Sequence, residues 1–445
     1  MPVKTILFLL GFVVASAGAL GAPVIGIIGY MMHYMIGPER QWWALPLQSL
    51  GLRYSYTLAL ASAIGIIFGW HRLRHGKTIL RAQEVLILMF LGMMWLTLLY
   101  ADKTMEKYVT TDHPTMKMAK VVVFVLMMTH VVTTLKHFRV MMWTLVFGAM
   151  VLGLQAWQTP YDSFAQGRLE SVGGADFSDA NAMGAFVGAM LPIIGVQFLL
   201  SGRKGKLICM VAGAFAANAV VLTRSRGATV GILAGVALAG LLAPKERRKA
   251  VFAGLCAAAV GACFIVDPGF IARAKTIQEP SEGVDGAITS RLHIWDASLR
   301  MWRDNPGGVG VGNFFQKIGR YDSRYADRDA HSTYFRCATE LGIGGVIIFF
   351  ALLGGFVISL VRTARAARAL PPPAANQLRL YCFAVGISMT MLLFSGMTMT
   401  LIYIEGIWWL MAMPACLARS VENEMESHLI HGHQLPRRQP AGAHG

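Results

Sequence analysis

The sequence predicts an all-α integral membrane protein of about twelve transmembrane helices, and three observations predict it. Hydrophobic residues make up 55% of the 445 and charged residues only 14%, proportions that do not describe a soluble domain. Apolar stretches of roughly 17 to 25 residues, long enough to cross about 30 Å as helices, recur along the chain. Lys and Arg gather in alternate connections, as the positive-inside rule requires of cytoplasmic loops.

The opening stretch, 5–36, is too long for one simple span and contains Gly18, Gly21, Pro23 and Gly26, so it reads as one broken span or two. It lacks a small-residue cleavage site followed by a polar mature domain, which makes it the first membrane anchor and not a removable signal. Further spans read at 53–71, 83–101, 119–134, 138–157, 180–200, 206–222, 226–243 and 249–266, then at 338–362, 379–397 and 401–417. The connections holding Arg72, Arg74, Lys77 and Arg81, then Lys136 and Arg139, then Arg203, Lys204 and Lys206, are alternate and therefore cytoplasmic. So are those holding Lys245, Arg247, Arg248 and Lys249, and Arg362, Arg365, Arg368 and Arg379. A single N-terminal span with the C-terminus inside gives the count of about twelve. The net charge of +16 is then orientation bias plus attraction to anionic lipid, which gives no reason to expect nucleic acid as a partner. The chain divides into an N-terminal bundle (1–266), a large outer loop (267–337), C-terminal helices (338–417) and a cytoplasmic, disordered tail (418–445).

The remaining connections face outward: 102–118, 158–179, 223–226, the long loop, and 398–401. Arg224 and Arg226 in "VVLTRSRGATVGIL" (220–233) thus sit on the outer side, against the charge trend. Snorkelling to headgroups is the plain reading of them. The long loop is the one extramembrane region large enough to build a site, and it is basic. Within it "SRLHIWDASLRMW" (290–302) reads as a helix capped by Ser290, with Leu292, Trp295, Leu299 and Trp302 on one face. Such a helix either lies at the membrane interface or packs on the bundle. "NPGGVGVGNF" (305–314) is a glycine-rich turn without the Lys-Ser/Thr of a nucleoside-triphosphate loop. His331 lies where the loop re-enters the membrane, level with Arg224 and Arg226. An imidazole there can act as a base at neutral pH, since neighbouring cations keep it unprotonated.

Ser225-Arg226-Gly227 at the outer end of a span, then "SRLHIWDASLRMWRDNPGGVGVGNF" (290–314), then "AHSTYFRCATELGIGGV" (330–346) resemble, in that order, the O-antigen ligase and polymerase superfamily. "DFSDANAMGAFVGAMLP" (176–192) fits the same pattern, and the N-terminal half is similar to the ligase-like branch found beside exosortase systems. The resemblance implies a bacterial inner-membrane glycosyltransferase of glycosyltransferase-C-like architecture. Its site would open on the periplasmic face, under the loop. It would take a glycan from an undecaprenyl-pyrophosphate donor and join it to a hydroxyl of lipid A-core or another acceptor, without metal, nucleotide or other cofactor. By family correspondence Arg226 and Arg291, with Arg224 as a third, would hold the pyrophosphate, and His331 would be the general base. Many relatives carry Asn after the histidine where this chain has Ser332. Asp329 is open to an orienting role or to that of a solvated counter-charge, and Glu340, nine residues after His331, is not placed for direct contact with it.

A polymerase or a protein O-oligosaccharyltransferase would use the same residues. A lipid-linked glycan flippase, from another class, would place charges at mid-membrane depth and repeat its halves, whereas here charges gather at one face and no internal repeat is found.

Overall fold

The computed structural model of the protein describes residues 2–48, 51–73, 76, 78–99, 113–165, 167–266, 268–275 and 287–433, which form helices and short turns. In chain order the helices are α1 (Val3–Gly21), α2 (Pro23–Ile36), a single turn α3 (Leu45–Gln48), α4 (Tyr54–Gly69), α5 (Ala82–Leu99), α6 (Pro114–Val131) and α7 (Leu135–Gln158). There follow α8 (Ala180–Leu200), α9 (Arg203–Thr223), α10 (Arg226–Leu242), α11 (Arg248–Ile265) and α12 (Pro268–Lys275). The chain continues through α13 (Ala287–Asp304), α14 (Phe314–Ile318), α15 (Thr333–Ala366), α16 (Pro372–Ser395) and α17 (Glu405–His433). Nine helices among the described residues are long and apolar enough to cross a membrane, and Arg226–Leu242 is apolar but shorter.

The stretch 5–36 is a helical hairpin. Pro23 opens α2 directly after α1 ends, and Ile25 packs on Gly18 while the Phe8 and His33 rings lie 6.5 Å apart. Of the two readings of 5–36, one broken span or two, the chain has two antiparallel helices, of which α1 is long and apolar enough to cross a membrane.

Close helix packing fixes the height of the outer connections. Gly227, Gly231 and Gly235 lie on one face of α10, and a Cβ on any of them would overlap Thr398, the Met391 carbonyl or the Met391 side chain. Small residues four apart let two backbones approach, and they bring the start of α10 against the turn after α16. Gly184 of α8 faces Ser225 and Ala228 in the same way.

The opposite end of the bundle is closed by buried polar pairs. Arg419 donates to Glu84 Oε1 at 2.9 Å and to Oε2 at 2.8 Å, both side chains being wholly buried. Arg81 pairs with Glu422 at 2.6 Å, and Gln377 links Arg139 to Tyr381, whose hydroxyl donates to Gln197 at 3.0 Å. This overturns the disordered tail from 418 onward. Residues 418–433 continue α17, because Arg419, Ser420 and Asn423 have buried partners to reach. Residues 434–445 lie outside the described part.

Candidate active site

The described parts of the five connections expected to face outward meet at one end of the bundle. Their contacts are Lys117 with Asp176, Arg168 with the Thr223 carbonyl at 3.1 Å, Gly269 with Arg224, His113 with Gly312, and Thr400 with Asp329 at 2.7 Å.

The loop between α12 and α15 builds its own small core from Ile294, Ala297, Met301, Val309, Phe314, Ile318, Tyr325 and Ala330. Helix α13 begins at Ala287, so Ser290 is inside it and not its cap. Its packed face is Ile294, Ala297, Ser298 and Met301, while Leu292 and Leu299 are exposed. The face expected from Trp and Leu spacing is therefore one strip over, because the partner is α15 and the loop core and not lipid alone. Trp295 keeps a polar role, since its indole N–H donates to the Ala330 carbonyl at 3.0 Å and pins the residue before His331. Arg291 lies one turn earlier on α13, and its charge lowers the proton affinity of His331.

The glycine-rich turn is bound to a break in α15. Gly342 has φ +64°, a backbone region that disfavours side chains, and the helix kinks there. Freed by the kink, the carbonyls of Thr339 and Glu340 accept from the amides of Val309 at 2.8 Å and Gly310 at 3.0 Å, and Ile343 N–H donates to Pro306 at 2.9 Å. Gly308, at φ +95°, lets the two backbones touch. Glu340 is wholly buried and accepts from the Gly312 amide at 2.9 Å, the Phe314 amide at 3.3 Å and the Tyr403 hydroxyl. Its partners are this turn, Tyr403 and Arg336, not His331.

His331 is in the left-handed conformation, φ +47°, and its side chain is 42% exposed. Its amide donates to Asp329 Oδ2 at 3.2 Å, and its Nδ1 lies 3.9 Å from the same oxygen. Asp329 is no solvated counter-charge: Oδ1 also takes Arg336 Nη1 at 2.8 Å. Arg336 pairs through Nε with Glu340 at 2.8 Å and lies over the Phe315 ring at 4.3 Å. Burial holds His331 below the ordinary histidine range. Asp329 and Asp179 oppose that shift, and Arg291 and Arg328 add to it.

The turn between α9 and α10 lies at the same end of the bundle. Arg224 caps α9 at φ +48°, and its guanidinium lies against Gly269, where a Cβ would overlap it, and beside Gly167. Ser225 caps α10, accepting from the Ala228 amide at 3.2 Å while donating to Asn181 Oδ1 at 2.9 Å. Arg168, which is buried, donates to the same oxygen at 2.7 Å. Asn181 in turn donates to Asp179, the cap of α8. The turn carrying Arg226 is thus tied through Asn181 to Asp179, and the charges of Asp179 and Arg291 act in opposite directions on His331. Arg224 reaches toward α12 instead.

Sequence reasoning passes over Arg336, Thr400, Arg168 and the anchoring role of Glu340. The i, i+4 spacing of Arg336 and Glu340 is a readable signal for one pair. Thr400 and Arg168 act through contacts 71 and 55 residues distant, which no local pattern announces.

Residues 211–350 match the family model described as O-antigen ligase. The matched part holds Arg224, Arg226, Arg291, His331, Arg336 and Glu340, and excludes Asp179, Asn181 and Thr400. No curated protein matches the chain.

Proposed function

From the match of residues 211–350 to the family described as O-antigen ligase, we propose that the protein transfers a glycan from undecaprenyl pyrophosphate to an acceptor hydroxyl, lipid A-core being the favoured acceptor. The observation that carries the reading is His331 itself, half-exposed, held through its backbone amide by Asp329 and under the charge of Arg291. The site would open on the periplasmic face of the inner membrane, opposite the end rich in Arg81, Arg139 and Arg419.

In the step proposed, a ring nitrogen of His331 takes the proton of the acceptor hydroxyl as that oxygen attacks the anomeric carbon. The bond from that carbon to the pyrophosphate oxygen breaks, its electron pair leaving with the phosphate, and the configuration inverts. Arg226 and Arg291, with Arg224 as a weaker third, would meet the developing charge, since guanidinium groups grip phosphate oxygens in pairs. A base held below the usual histidine range stays unprotonated as pH falls, so transfer is expected to persist below about pH 6.5 and to fade at more acid values.

Transfer by purified protein from an undecaprenyl-pyrophosphate glycan to lipid A-core, with no nucleotide added, tests the reading. His331→Ala should lower the rate by about 10² to 10⁴ while donor binding persists. Full activity in that variant would remove His331 from the mechanism. Absence of transfer by the unaltered protein would shift the acceptor to a growing glycan or a protein.

A further inference from the structure

We propose that Asp329 and Arg336 are positioning residues for His331, with the buried carboxylate of Glu340 as their anchor. The proposal rests on the reading of His331 as the general base.

The geometry shows a chain of charges in one line of contact. Glu340, fully buried, holds Arg336 Nε at 2.8 Å, and Arg336, 3% exposed, holds Asp329 Oδ1 at 2.8 Å. Asp329 Oδ2 then takes the Thr400 hydroxyl at 2.7 Å and the His331 amide at 3.2 Å. The links come from two elements: Arg336 and Glu340 one turn apart on α15, where Glu340 is also tied to the glycine-rich turn, and Thr400 from the segment before α17. Burying such a pair is weak evidence for stability, because desolvation offsets the attraction, so its use here is better explained by the geometry it fixes. What it fixes is a histidine at φ +47°, a sparsely populated conformation for a residue with a side chain.

The arrangement has a chemical consequence. His331 Nδ1 stands 3.9 Å from Asp329 Oδ2, beyond hydrogen-bond reach, and a shift of about 1 Å closes it to an ordinary N–H to O distance. With Nδ1–H donated to Asp329, the lone pair is on Nε2. The acceptor's proton goes there, and the imidazolium formed lies beside the Asp329 carboxyl group, whose oxygens Arg336 and Thr400 hold in place. Charged groups that act on the ring are Asp329 and Arg328 on its own loop, Arg291 on α13 and Asp179 at the start of α8.

The test uses full-length protein in detergent and two readouts. The first is transfer of an undecaprenyl-pyrophosphate glycan. The second needs no transfer: the pH dependence of diethyl pyrocarbonate modification of the His331 peptide, which follows the unprotonated ring. Asp329→Asn keeps an oxygen for the His331 amide but removes the charge. It should lower the modification midpoint by about 1 pH unit and reduce kcat at least about tenfold with KM unchanged. Arg336→Lys keeps a cation but cannot span both carboxylates, so it should lie between the two, and it serves if Asp329→Asn does not fold. A midpoint and kcat unchanged in folded variants overturn the proposal. A shifted midpoint in a protein that transfers no glycan would sustain the positioning and sink the glycosyl-transfer reading instead.

Discussion

At the end of the bundle that carries Arg139 and Arg419, Arg419 and Glu84 close on each other through two hydrogen bonds, and neither side chain meets solvent. At the other end Arg336 divides its guanidinium between Asp329 and Glu340, and Asp329 passes the constraint to a histidine that is 42% exposed. The residue types are the same in both places. The difference is whether the chain of partners ends on itself or on a group that faces outward, which separates a clamp between helices from a support for chemistry.

The comparison breaks first if Arg419 proves to matter for transfer. Arg419→Met leaves Glu84 charged, buried and without its main partner, which should cost about 3 to 5 kcal/mol in stability, read as a lower denaturation midpoint in detergent. Adding Glu84→Leu should recover most of the loss, because two apolar side chains of similar size satisfy the site without a charge. The pH dependence of His331 should be the same in all three proteins. A shift of that midpoint in Arg419→Met would show that the two ends are coupled and that the clamp is not merely structural.

The two ends also differ in how much the sequence discloses. Hydropathy and the alternation of Lys and Arg are enough to send Arg224, Arg226, Arg291 and His331 to one end, because a bilayer imposes a repeat length and a charge asymmetry that any stretch of chain must obey. Legibility stops where partners are distant in sequence. Arg419 falls in a stretch that reads as a tail, since nothing local says that Glu84, 335 residues earlier, waits for it. The start and face of α13 escape for a similar reason: spacing gives a helix, but its neighbour α15 decides which side is buried. The hairpin of α1 and α2 stays open in a Gly- and Pro-containing sequence that allows a break without fixing its angle.

A smaller effect sharpens the comparison within the site end. Gly269 of α12 has no side chain, and a Cβ there would overlap the Arg224 guanidinium. Gly269→Ala improves helix propensity, and the atoms it displaces are the far end of a flexible arginine, so the fold should be unaffected. If Arg224 helps to hold pyrophosphate, KM for the donor should rise by up to about tenfold, the worth of roughly one charged hydrogen bond, with kcat little changed. An unchanged donor KM would mean that Arg224 only seats α12 and that the phosphate site consists of Arg226 and Arg291.

The smallest effect is expected at Arg324, and it is the one that isolates placement from pairing. Arg324 grips Asp322 with two hydrogen bonds, at 3.0 and 2.8 Å, a fork like that of Arg419 on Glu84. The pairing holds the Asp322 carboxyl below its usual range. Yet the arginine is more than half exposed, so water competes for its guanidinium and salt screens the pair. Arg324→Ala should therefore change stability by less than about 1 kcal/mol and leave transfer and the His331 midpoint where they were. If removing this exposed cation weakened donor use as much as Gly269→Ala, the number of positive charges over the site would matter more than where each one points. The distinction between clamp, support and surface pair would then have to be replaced by a field summed over the whole outer loop.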